Sequence, residues 1–235
     1  MNAHFDVIVT ILELIGTAVF AASGALTAIK RYFDLFGVII IGVTTAVGGG
    51  IMRDIVIGSH PVAAFRDPLA MGVAAAVSLA VFVAVAMKGD LSIRAFRLYD
   101  TAMLLLDTVG LGIFTVTGIT AAMRSGVSDN AFLLVFSGVI TGVGGGVLRD
   151  VFSGERPYIF VRHFYACASI IGALICALCW DRLGANAAML FGAAAIVVLR
   201  LLAAYYHWSL PKSDYHDEPQ TTTAAQTNQD SEIPQ

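Results

Sequence analysis

The sequence predicts an all-α integral membrane protein of seven transmembrane helices, arranged as two inverted three-helix repeats plus a seventh helix. Three observations predict it. Hydrophobic residues make up 57% of the chain and charged residues only 13%, against roughly 25% charged in a soluble domain, and the mean hydropathy is +0.79. Seven stretches, near 7–29, 35–57, 69–87, 101–123, 131–153, 164–181 and 187–207, come close to the roughly 20 apolar residues that span a bilayer. Finally, Gly-Val-Thr-Thr-Ala-Val-Gly-Gly-Gly-Ile-Met-Arg-Asp at 42–54 returns as Gly-Val-Ile-Thr-Gly-Val-Gly-Gly-Gly-Val-Leu-Arg-Asp at 138–150, the fixed-period signature of a repeat.

The same 96-residue offset pairs Gly58 with Gly154, Pro61 with Pro157 and Arg66 with Arg162. Upstream the offset is 94, pairing Glu13 with Asp107, Phe20 with Phe114 and Gly24 with Gly118. The repeats therefore run over about 9–87 and 103–181, within a membrane domain of 1–210. Each holds three spans, an odd number, so the second copy enters the membrane from the opposite side to the first. That layout puts a functional path at the interface of the halves near mid-depth. The seventh span, 187–207, has no counterpart, which leaves it packing or subunit contact, with Arg200 expected to snorkel toward one surface.

Lys30, Arg31, Lys88, Arg94, Arg97, Arg149, Arg156, Arg162 and Lys212 fall on one side, and Arg53, Arg66, Arg124 and Arg182 on the other. This excess marks the first side as cytoplasmic, with the N-terminus outside and the protein in the cell's inner membrane. Residues 1–6 carry no Lys or Arg, which argues against a cleavable signal peptide. Residues 211–235 are rich in Thr, Gln, Asp, Glu and Pro and read as a disordered cytoplasmic tail with little to bury.

Several function classes drop out. A net charge of −3 gives nucleic-acid binding no support. Cys167, Cys176 and Cys179 share the sixth apolar stretch without a His or further Cys to complete a metal set, so no metal site and no cofactor is expected. Gly144-Gly145-Gly146 is not followed by the Lys and Ser or Thr of a phosphate-binding loop. With no nucleophile and base in sight, an enzyme is not expected.

The chemistry concentrates at the two glycine triplets. Each glycine costs about 1 kcal/mol of helix stability relative to Ala, so Gly48, Gly49 and Gly50 in the second span, and Gly144, Gly145 and Gly146 in the fifth, are expected to break their helices. Unwound backbone at bilayer depth survives only where protein buries it or a watery cavity meets it. Arg53-Asp54 and Arg149-Asp150 follow three residues after each triplet, and an intramembrane charge costs at least about 2.5 kcal/mol unless paired or wet. Either these four residues flank a constriction, or each Arg pairs with a carboxylate and merely holds the bend. Glu13 and Asp107 could be the arginines' partners or could sit at the headgroup boundary. Thr45 and Thr141, with Ser23, Thr27, Thr117 and Thr120, could line a hydrated path, although such hydroxyls also glue membrane helices together, a role expected to claim most of them.

With the doubled Gly-Gly-Gly-x-x-Arg-Asp at 48–54 and 144–150 in place, the chain resembles the prokaryotic trimeric intracellular cation (TRIC) channel family from residue 7 to about 207. The resemblance implies a homotrimer in which each protomer has its own pore between the second and fifth helices. It implies permeability to monovalent cations, chiefly potassium with sodium as a further candidate, and bound phospholipid near the subunit interfaces. Animal members carry Lys-Glu-Val after the glycines of the second helix, where this chain has Ile51-Met52-Arg53, so their regulation by calcium or phosphoinositide is not carried over. The same bacterial family also bears a glycine-transporter label, which makes a secondary transporter of glycine or a similar small amino acid the alternative.

Overall fold

The computed structural model describes residues 3–87, 93–127, 129–157, 159, 164–206 and 208. The expected tail at 211–235, the loop charges Lys88, Arg162 and Lys212 and the side chains of Arg94 and Arg97 lie outside the described residues. Among the described residues, eight helices follow in order: α1 (Ala3–Lys30), α2 (Leu35–Ile57), a one-turn α3 (Ala63–Arg66), α4 (Leu69–Ala86), α5 (Ile93–Arg124), α6 (Ala131–Phe152), α7 (Tyr165–Leu183) and α8 (Ala185–Tyr205). All but α3 include a segment long and apolar enough to cross a membrane. The 22 residues of α6 rise about 33 Å, the thickness of a hydrocarbon core.

The repeat governs how the helices start and stop. α2 opens on Asp34, whose side chain accepts from Gly37 N at 2.7 Å, and α6 opens on Asn130, whose side chain accepts from Leu133 N at 3.0 Å. Both are side-chain caps for otherwise orphaned N–H groups. α2 finishes on a left-handed glycine, Gly58 at φ 72°, and α6 on Ser153 followed by left-handed Gly154 at φ 68°. The next residue then donates back into the helix, Ser59 N to Asp54 O and Glu155 N to Asp150 O, each at 2.8 Å.

Packing follows the same plan. α1, α2 and α4 pack on one another, as do α5, α6 and α7, and the halves meet where α2 lies on α6 and α1 on α5. Both cross-pairs run antiparallel. Asp6 near the start of α1 meets Arg124 at the end of α5 at 2.6 Å, while Lys30 at the end of α1 lies 4.3 Å over the ring of Tyr99 early in α5. α8 packs mainly on the second half, against α7 and α5.

Two expectations need correction. Helical geometry runs unbroken through both glycine triplets. The missing side chains serve close approach instead: a Cβ on Gly49 would collide with the Thr141 carbonyl oxygen, and one on Gly145 with that of Thr45. Backbone contact between α2 and α6 offsets what the glycines cost in helix propensity, as in other membrane helix pairs built on small residues. Arg200 does not snorkel. It is 5% exposed, and its guanidinium sits 4.7 Å from the centroid of the Tyr165 ring, a cation–π contact that takes the place of a route to the surface.

Candidate functional site

The α2–α6 crossing is reciprocal. Gly49 faces Thr141 while Gly145 faces Thr45, and Gly48 faces Leu148 while Gly144 faces Met52, so each contact has its image at the repeat offset. Beside the crossing, Phe20 and Phe114 meet edge to face with centroids 5.1 Å apart. Each ring rests on a glycine of the opposite half, Phe20 on Gly110 and Phe114 on Gly16. These rings were legible as matched positions, but nothing in sequence said that they touch.

Two cavities lie on either side of this centre. One, of about 180 Å³, is lined by Thr10, Glu13, Thr17, Gly50, Arg53 and Asp54 among others. The second, of about 120 Å³, is lined by Lys30, Asp100, Met103, Arg149, Asp150 and Glu155 with Tyr99. Their alignment can be read along single helices. On α1, Thr17 lines the first cavity, Phe20 is buried, and Ser23 touches Arg149, three steps along one helix face. On α6, Thr141 lines the first cavity, Gly145 makes the crossing, and Arg149 lines the second. Eight residues of helix rise about 12 Å, which sets the thickness of the packed layer between them.

At the second cavity, Arg149 is 1% exposed and fully engaged. Its Nη1 donates to Asp107 Oδ1 and to Ser23 Oγ, each at 2.5 Å, and its Nε and Nη2 reach Asp150 Oδ1 at 2.8 Å. Asp107 on α5, Ser23 on α1 and Arg149 on α6 thus tie the two halves together. At the first cavity Arg53 reaches, among the described residues, only Asp54 Oδ1, at 2.9 Å from Nε and 2.8 Å from Nη2. Asp54 Oδ2 accepts from Ala63 N at 2.8 Å, which fixes α3 against the end of α2. Glu13 lines this cavity, half-buried, and has no hydrogen bond or ion pair among the described residues.

Of the candidates raised from sequence, Arg53, Asp54, Gly50, Glu13 and Thr141 gather at one cavity, and Arg149, Asp150 and Asp107 at the other. Gly48, Gly49, Gly144 and Gly145 form the crossing, and Gly146 faces the Tyr165 hydroxyl. Thr45 lines neither cavity. It is fully buried, its hydroxyl bonds to Ile41 O at 2.6 Å, and it packs against Gly24. Thr141 bonds likewise to Ser137 O and packs against Gly118, so helix packing claims both hydroxyls, as it does for many intramembrane Ser and Thr residues. Tyr165, buried between the Arg149 cluster and Arg200, gave no sequence signal because it has no counterpart motif.

A family model described as glycine transporter matches the chain twice, over residues 10–86 and 104–181, once for each repeat. The inner membrane protein YadS of Escherichia coli is 38% identical over 85% of this chain and 93% of its own length, and YvgT of Bacillus subtilis is 31% identical over 87% and 96%. Among solved structures, a TRIC cation channel shares 34% identity with a TM-score of 0.76, covering 89% of this chain and 98% of that one. The trimeric intracellular cation channel orthologue from Rhodobacter sphaeroides shares 29% with a TM-score of 0.77, covering 86% and 99%. This chain is a multi-pass membrane protein of the UPF0126 family, which the glycine-transporter model describes, and it has the fold of the TRIC cation channels.

Proposed function

We propose that the protein is a monovalent cation channel, potassium-permeable, with one path per protomer running between the two halves through both cavities and the layer between them. The observation that carries this reading is the charge at the two ends. Glu13, Asp54 and Asp67 line the first cavity against Arg53 alone, and Asp100, Asp150 and Glu155 line the second against Lys30 and Arg149. The first mouth is therefore net acidic and concentrates cations, while at the second Arg31 pairs with Glu155 at 2.9 Å and brings the charge close to balance. The arginines are neutralised by adjacent carboxylates, so they shape the path without barring it. The layer of Phe20, Phe114 and the glycine crossing closes the path in this conformation, and opening requires α2 and α6 to part there.

The Lys and Arg distribution supports placing the Arg149 cavity on the cytoplasmic side and the Arg53 cavity outside. Homotrimeric assembly draws support from the structural relatives and from α4, which has most of its surface free of neighbours. Subunits and phospholipid would cover such faces.

A second reading, a carrier of glycine or a similar small amino acid, draws on the name of the family model and on a layout with one cavity larger than the other around a closed centre. Purified protein in liposomes, assayed in one preparation for potassium current and for labelled glycine exchange, separates the two. Voltage-driven potassium current without glycine exchange is the expected result, and saturable exchange without current would install the carrier instead.

A further inference from the structure

The two ends of the molecule hold matching residues in different arrangements. Arg149 bridges the halves through Asp107 and Ser23. At the repeat offsets, the matching bridge would join Arg53 to Glu13 and Thr117, and all three line the same cavity. Arg53 is instead folded back onto its neighbour Asp54, and among the described residues Glu13 has no partner and the Thr117 hydroxyl makes only a 3.5 Å contact within its own helix.

We propose that Arg53 has a second resting place, on Glu13 and Thr117, and that a monovalent cation competes with it for Glu13, so that this exchange closes and opens the Arg53 end of the path. The inference rests on the path proposed above. Matching sequences in matching packing share low-energy arrangements, and the Arg149 end displays the closed one. With Arg53 on Asp54, the Glu13 carboxylate and the hydroxyls of Thr10, Thr17 and Thr117 border an oxygen-lined space, suited to a monovalent cation that keeps part of its water. When the guanidinium crosses to Glu13 it supplies the positive charge itself and fills that space. A half-buried carboxylate gains from either partner, since an unpaired charge at this depth is costly. Arg124 is the other cation acting on Glu13, but it is tied to Asp6.

The test uses the full chain in liposomes with Thr17→Cys as a reporter in the Arg53 cavity, read by its rate of modification with a small charged thiol reagent. The unsubstituted protein supplies the background from the native cysteines on α7. Glu13→Gln and Arg53→Gln should each speed modification severalfold, and the double variant should be no faster than either single one. Arg53→Lys keeps the charge and should stay near the parent rate, and it replaces Arg53→Gln if that variant does not assemble. Raising potassium should speed modification in the parent and leave Glu13→Gln unchanged. A parent-like rate in Glu13→Gln, or effects that multiply in the double variant, would overturn the exchange. Current recorded on the same liposomes keeps the two ideas apart: if the modified reporter leaves potassium current intact, the path itself is misplaced.

Discussion

The Arg149 end and the Arg53 end begin from nearly the same sequence and finish differently. At one, a buried guanidinium is held by Asp107, Asp150 and Ser23 and links α1, α5 and α6. At the other, the guanidinium leans on Asp54 within its own helix and leaves a larger cavity beside an unpartnered Glu13. The difference of one methylene between Glu13 and Asp107 does not decide this, since the longer side chain reaches further. What differs is the surroundings. The Arg149 side is backed by Tyr165 and Arg200 from α7 and α8, where the first repeat has Leu69 at the position matching Tyr165. The lesson is that an internal repeat sets which residues meet, while residues that the repeat does not share, Tyr165 and Arg200 here, set which of the shared arrangements is occupied.

The centre, by contrast, is the same from both sides, and variants there should show it. Gly49→Leu and Gly145→Leu each drive a side chain into the opposing backbone and should both prevent assembly, by well over the roughly 1–3 kcal/mol of ordinary overpacking. Equal loss of folded protein in detergent, measured by size-exclusion chromatography, is the expected outcome. Normal assembly of either variant would mean that the crossing is looser than described.

The ends should then respond unequally. Asp107→Asn removes a partner from a buried ion pair and should cost about 3–5 kcal/mol, seen as a clear drop in the thermal midpoint of the detergent-solubilised protein. Glu13→Gln, its counterpart, loses no bond and should stay within about 0.5 kcal/mol of the parent. Equal costs at both positions would erase the contrast between the ends, and a larger cost at Glu13 would reverse it.

Much of this was legible beforehand. Seven spans and the two repeats follow from hydropathy and an exact motif offset, and the expense of bare charge in a membrane made pairing of the arginines with carboxylates one of the two readings open for them. The glycine triplets were misread because propensity speaks only of an isolated helix, and the Thr141 and Thr45 carbonyls that press against Gly49 and Gly145 come from a partner 96 residues away in sequence. Arg200 was misread for a similar reason: its partner is the face of Tyr165, and no spacing rule ties α8 to the start of α7. The unequal use of Arg53 and Arg149 was beyond reach, since their motifs are the same.

The central claim, that cations cross between the halves through both cavities, is tested most directly by two cysteine reporters and current. Thr17→Cys lies in the Arg53 cavity and Met103→Cys in the Arg149 cavity. A membrane-impermeant thiol reagent should block potassium current through Thr17→Cys only from the outside and through Met103→Cys only from the cytoplasmic side. Modification of both sites with current unchanged would place the cation path elsewhere in the protein.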